Sequence, residues 1–163
     1  MTQGTVKTQG THLFFVYTQG SSEPQIVKLA CPTGITGMGG PKDQIESTCL
    51  DNTQDKEFTA GLGNPGQVTV PFNLIPRDFS HQTLFDLKEA GDTLEWMACL
   101  SEGTAAPTLD SDAALVAPAD RSSIGFDAYI SDVNIDIATN EIVRGTLILQ
   151  RSGAIRPNWY TPA

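Results

Sequence analysis

A chain of 163 residues with 39% hydrophobic content is long enough for one globular domain with a core of useful size, and too short for a second full domain. Its formal net charge of −9 excludes a tight nucleic-acid binder, because such a surface repels phosphate and lacks the basic footprint that counterion release requires. Fifteen glycines and ten prolines scattered among short apolar runs argue against long helices and predict a mainly β fold.

In chain order, the polar stretch Met1 to Gly10 has no apolar h-region, and no segment approaches the roughly 20 apolar residues of a membrane span, so neither a secretory leader nor a membrane segment is expected. Thr11 to Thr18 (THLFFVYT) is apolar on both parities and predicts a strand covered on both faces. After the turn-rich Gln19 to Pro24, in which Gly20 supplies a permissive backbone, Ile26 to Cys31 (IVKLAC) predicts a partner strand. A glycine-rich bend, Gly34 to Pro41, leads into a weaker strand at Asp43 to Leu50. Alternation then stops. Asp51 to Gly66 (DNTQDKEFTAGLGNPG) is charged and glycine-rich, with Phe58 and Leu62 as its large apolar residues, and predicts a long surface loop of the kind that usually carries function.

Gln67 to Leu74 (QVTVPFNL) alternates strictly, and Pro71 on its polar parity removes a donor, which predicts an edge strand. A single short helix is expected from Gln82 to Ala90, with Ser80 as N-cap and Gly91 in the left-handed position past its end. Thr93 to Ser101 reads as a central strand, and Glu102 to Arg121 as an extended excursion or short strand. In Ser123 to Ile137, Ile124, Phe126, Ala128 and Ile130 keep one parity while Val133, Ile135 and Ile137 take the other. One extra residue at Ser131 or Asp132 reconciles them, which predicts a β-bulge. Asn140 marks a turn, Ile142 to Gln150 returns as the partner strand, and Arg151 to Ala163 is expected as a tail.

Sites of chemistry are not legible. The three cysteines, Cys31, Cys49 and Cys99, are far apart and form no CxxC pair, so they are expected as buried free thiols of a protein made in a reducing cytoplasm. The glycine-rich bend has no GK[ST] after it and so does not read as a phosphate cradle. Asp132, Asn134 and Asp136 have the opening spacing of a calcium loop, but Ile137 and Val143 stand where that loop needs Gly and Glu. A polar strand face accounts for the three better. His12 and His81 lie in no recognisable nucleophile or metal arrangement. No enzyme activity, metal or cofactor is therefore expected.

The order of features resembles the tail tube proteins of long-tailed, lambda-like bacteriophages. The resemblance is carried by GTVKTQGTHLFFV at Gly4 to Val16, the bend running into KDQIESTCLD at Lys42 to Asp51, and DKEFTAGL at Asp55 to Leu62. It continues through QVTVPFNL before the helix and closes with IGFDAYISDVNIDIATNEIVRGTLILQRSG at Ile124 to Gly153. It implies a small β-sandwich or half-barrel, one tail tube domain over residues 1–163, with one flanking helix. Its subunits would form hexameric rings whose sheets join into a continuous barrel around a DNA conduit. The resemblance further implies that an N-terminal arm (1–10), an inter-ring loop (51–66) and a C-terminal tail (152–163) contact the next ring. Asp51, Asp55, Lys56, Glu57, Phe58 and Leu62 are the candidate loop contacts. Asp132, Asn134 and Asp136, with Asp127 and Glu95, are the candidates for the lumen.

On this reading the chain is assembled in the host cytoplasm into the virion tail. Its partners are further copies of itself, a tape measure protein and tail tip or terminator proteins, with DNA passing by without specific binding and no membrane contact. Two other readings stay open: the inner tube of a contractile tail or injection device, and a β-sandwich binding module of the tail or baseplate.

Overall fold

The computed structural model describes residues 4–18 and 23–162. Gln19 to Ser22, which include the expected Gly20 turn, lie outside them, as do Met1 to Gln3 and Ala163. Ten strands and one helix follow in order: β1 His12–Tyr17, β2 Gln25–Lys28, β3 Lys42–Glu46, β4 Phe58–Gly63, β5 Gln67–Asn73, α1 Phe79–Ala90, β6 Leu94–Cys99, β7 Thr108–Leu109, β8 Leu115–Val116, β9 Ser123–Asp136 and β10 Arg144–Asn158.

Six strands form one antiparallel sheet in the order β2-β1-β6-β9-β10-β5. Core residues come from all six, with Leu13, Phe15, Val27, Trp96, Phe126, Leu147, Val70 and Phe72 gathered around Leu84 and Leu87 of α1. A sheet whose every strand points into one cluster is curled, and the helix fills the open side of this half-barrel. The chain leaving β2 completes the curl by lying along β5, where Thr33 N donates to Pro71 O and the backbones of Thr36 and Thr69 exchange hydrogen bonds. Pro71 is therefore on the outermost strand of the six, as its missing donor requires.

The parity break in β9 is a bulge: Ile148 pairs with Asp132 and Leu149 with Ile130, so Ser131 is the additional residue. It returns Val133 to the core side beside Ile130. Ile135 and Ile137 do not follow, being 39% and 80% exposed at the tip of the β9–β10 hairpin, where the core has ended. The turn there holds Asn140 at φ 62.

Several local expectations are corrected. The helix begins at Phe79, and Asp78 is its N-cap, accepting from Ser80 N. Ser80 is drawn inward instead, where its Oγ accepts from Ala30 N. Past the other end, Gly91 is left-handed at φ 71, and its N–H reaches Leu87 O. Phe58 to Gly63, expected as loop, form β4 and pair with β3. The strand expected to run to Leu50 stops at Glu46. Residues from Arg151 onward, expected as tail, continue β10 to Asn158, past a second irregularity between Ser152 and Arg156. Cys99 is buried, but Cys31 and Cys49 are exposed.

Phe14, Met97 and Cys99 point to the opposite side of the sheet from the main core, and Leu115 of the small β7–β8 hairpin covers them. This explains the double-faced apolar pattern of β1. His81 is also internal, with Nδ1 accepting from Ile75 N at 2.9 Å and Nε2 at 2.7 Å from Ala30 O, an arrangement that places the proton on Nε2. It is a packing histidine, its ring tilted against Phe72.

Candidate assembly interface

Three features of this fold await partners, and each comes from a local property of the sequence. The first is the β3–β4 arm. Every residue of β3 is exposed, as is every residue of β4 except the intermediate Gly61. On the arm and its connecting loop, Ile45, Phe58, Leu62 and Leu50 are 56%, 54%, 83% and 105% exposed. An isolated two-stranded hairpin is marginal in water, and apolar side chains displayed on one gain nothing until another surface covers them. Asp51, Asp55, Lys56 and Glu57 lie exposed on the loop that joins its strands, while Phe58 and Leu62 are exposed on β4, on either side of a register shift.

The root of the arm is tightly built. Arg151 is 5% exposed, and its Nη1 and Nη2 donate to Met38 O and Gly39 O, each at 2.7 Å. Asn64 N donates to Pro41 O, so both stems of the arm are tied together where they leave the body. Gly37 needs to be glycine: its φ is 91, and a Cβ there would collide with the Gln67 carbonyl. The sequence does signal Arg151, since it continues the core parity of Gly145, Leu147 and Leu149, although the stretch it opens reads as a tail.

The second feature is a pair of open strand edges. β6 accompanies β9 only from Ser123 to Ala128, so Tyr129 to Asp136 have β10 on one side and no strand on the other among the described residues. Likewise, β5 accompanies β10 only from Arg144 to Gln150, leaving Ser152 and Arg156 to Asn158 paired on one side among the described residues. Unpaired edges are templates for further chains.

The third is a sheet face. Opposite the main core, Gln67, Thr69, Pro71 and Asn73 of β5 stand beside Thr146, Ile148 and Gln150 of β10. Tyr129, Asp132, Asn134 and Asp136 continue that face on β9, with Arg144 of β10 beside Asp136. None of these residues belongs to either core cluster, so no packed layer covers them.

The expected acidic residues divide sharply. Arg156 contacts both Asp127, at 3.2 Å, and Glu95, at 3.6 Å. Glu95 also accepts from Leu115 N, so this pair of carboxylates anchors β10 and the β7–β8 hairpin. Asp132 lies at the bulge and meets Lys88 of the helix at 3.3 Å. Asn134 and Asp136 remain together on the uncovered face, where the Asn134 side-chain amide donates to Asp136 Oδ1 at 3.0 Å.

Residues 4–161 match the family described as phage tail tube, TTP, lambda-like. This chain belongs to the lambda-like phage tail tube family. Structural protein 3 of Pseudomonas phage PAJU2 is 38% identical over 152 residues, which cover 91% of this chain and 90% of that protein. The same fold occurs in the SPP1 tail tube, with a TM-score of 0.69 at 10% identity over 97% of this chain and 81% of that one. It also occurs in a chain of the anti-feeding prophage baseplate, with a TM-score of 0.67 at 12% identity over 99% and 100%. A tail tube protein is a structural component of the virion tail, and its copies build the tube.

Proposed function

We propose that this tail tube protein forms stacked rings, hexameric as the resemblance implies, in which the curled sheets of neighbouring copies join and the arm of each copy lies on the next ring. The β3–β4 arm carries this reading, because a hairpin with exposed apolar residues and a rigid root has no purpose in an isolated monomer. Ring closure uses the open edges. β9 and β10 are antiparallel, so the edge of β10 in one copy runs in the correct sense to pair with the edge of β9 in its neighbour. A heterologous contact of this kind closes when its rotation divides a full turn.

The channel is lined by the face without a packed layer, since a face buried under the helix or the β7–β8 hairpin has no access to a lumen. Its residues are mostly amides and hydroxyls, with Asp136 and Asn134 as the polar pair nearest the hairpin tip. With Arg144 set beside Asp136 as a cation on this face, the surface offers DNA few charges to hold each phosphate, and passage needs that weakness. Asp127 and Glu95, bridged by Arg156, and Asp132, drawn to Lys88, serve the subunit itself. The N-terminal arm and C-terminal residues contribute contacts to adjoining rings. The protein has no catalytic role and needs no metal or cofactor. It is assembled in the host cytoplasm with tape measure and tail terminator proteins.

The test removes the arm at its root. Pro41 and Asn64 are already hydrogen bonded, so replacing Lys42 to Gly63 by two glycines leaves the body intact. Sedimentation should show a folded monomer, and electron microscopy of the concentrated variant should show no tubes where the parent forms them. Normal tubes from the armless chain would refute the role given to the arm.

A further inference from the structure

Immediately before β9 the structure buries a cation that makes no ion pair with a carboxylate among the described residues. Arg121 is 1% exposed, yet its guanidinium is held by carbonyls and one imidazole. Nε donates to Ala105 O at 2.9 Å, and Nη1 lies 3.4 Å from Leu100 O and from Gly103 O and 3.2 Å from His12 Nδ1. The adjacent Asp120 turns the other way, its Oδ2 accepting from Thr104 N and Ala105 N. Asp120 Oδ1 and Arg121 Nη2 are both buried without a hydrogen-bond partner among the described residues. Phe14 joins the two bases: the guanidinium lies 5.8 Å from its ring and the imidazole meets it edge-on at 6.0 Å.

We propose that His12 and Arg121 form an acid-sensitive latch that holds the 102–121 excursion, with its β7–β8 hairpin, against the sheet. The contact requires Nδ1 to accept, so it exists with the imidazole neutral at that atom. Protonation converts the acceptor to a donor and sets a second positive charge 3.2 Å from a guanidinium that is already out of water. Every neighbouring element contributes to the balance. Lys28 of β2 opposes protonation, as does Arg121, while Asp120 is committed to the backbone of its own turn. Cys99 of β6 pairs with His12 across the sheet, and Glu102 accepts from Ser122 N at the base of the excursion.

Burial first, then Lys28 and Arg121, holds the His12 pKa below its ordinary 6.5. A histidine with a depressed pKa prefers its proton in the released state. The latch therefore has its full stability above about pH 6.5 and loses it as pH falls from there toward the folded value. Release uncovers Phe14, Met97 and Cys99, which Leu115 otherwise shields.

Cys99 supplies the readout, because it is buried while the other two thiols are exposed. In the full chain carrying Cys31→Ser and Cys49→Ser, the rate of Cys99 modification by dithiodipyridine is measured between about pH 8 and pH 5, with and without His12→Gln. The ratio of the two rates cancels the pH dependence of the reagent. It should rise by up to about tenfold per pH unit below the ordinary histidine pKa. A flat ratio would overturn the latch. Should His12→Gln not fold, Lys28→Gln replaces it. Removing that cation brings the His12 pKa nearer its ordinary value, so the acid-induced rise should be smaller than in the parent, and an unchanged rise overturns the proposal equally. Neither outcome depends on whether the chain forms tubes.

Discussion

Gly145 offers the sharpest test of how the half-barrel is packed. It lies on the core side of β10, between Ile135 of β9 and Phe72 of β5. A methyl group there would press hardest on Phe72 Cζ and stand 2.7 Å from Cε2 and 3.0 Å from Cε1. Ordinary contact begins at 3.4 Å, so the ring would have to withdraw by roughly 0.7 Å or more. It has little freedom to do so. Phe72 is 1% exposed and lies 4.7 Å from the His81 ring, whose two nitrogens are committed to Ile75 N and Ala30 O. Gly145→Ala should therefore destabilise by about 3 kcal/mol, the upper end of the overpacking range. Phe72→Leu alone removes ring volume and should cost about 1.5 kcal/mol. Combined, the smaller side chain admits the methyl, and the double variant should be about 2 kcal/mol more stable than the sum of the singles implies. Urea unfolding of dilute monomer, with unchanged m-values, measures all three. Additivity within about 0.5 kcal/mol would show that Phe72 is not what excludes a side chain at Gly145.

Two smaller predictions concern the helix. Asp78→Ala removes the N-cap and should cost about 1 kcal/mol at neutral pH by urea unfolding. The Asp78 carboxyl is held below its ordinary 3.8, chiefly by the hydrogen bond from the Ser80 side chain, so the difference from the parent should persist above that value and shrink as pH falls through the folded pKa. The Lys88–Asp132 pair is half-exposed, with side-chain accessibilities of 38% and 50%. A double-mutant cycle on these two should give a coupling below about 1 kcal/mol that fades with added salt, and a larger value would show that the bulge depends on the pair.

The bulge at Ser131 was legible because a period of two records every inserted residue as a parity change. The edge position of β5 was legible from Pro71, and Gly91 announced the end of the helix. The helix start was misplaced because Asp78 and Ser80 are both good caps, and the choice depended on Ala30, 50 residues away in sequence from Ser80. β4 reads as loop in the sequence because neither of its faces meets a core, so burial imposes no alternation on its residues. Arg121 gave no signal, lying in a stretch without periodicity, and its partner His12 is 109 residues distant. Among the acidic candidates, residue type was visible but the cations that meet them were not, and Arg156 and Lys88 decide which carboxylates remain available.

The sequence by itself determined what local periodicity and turn chemistry can encode: a mainly β chain, the strands that meet the core, the bulge, one short helix and a charge unsuited to gripping DNA. Family membership was legible there as well, carried by the order of those segments. Only the tertiary structure decided which strand edges stay open, which sheet face has no layer over it and which charges are paired. Those properties depend on contacts between residues far apart in the chain, and alternation along one strand carries no information about what lies beside it.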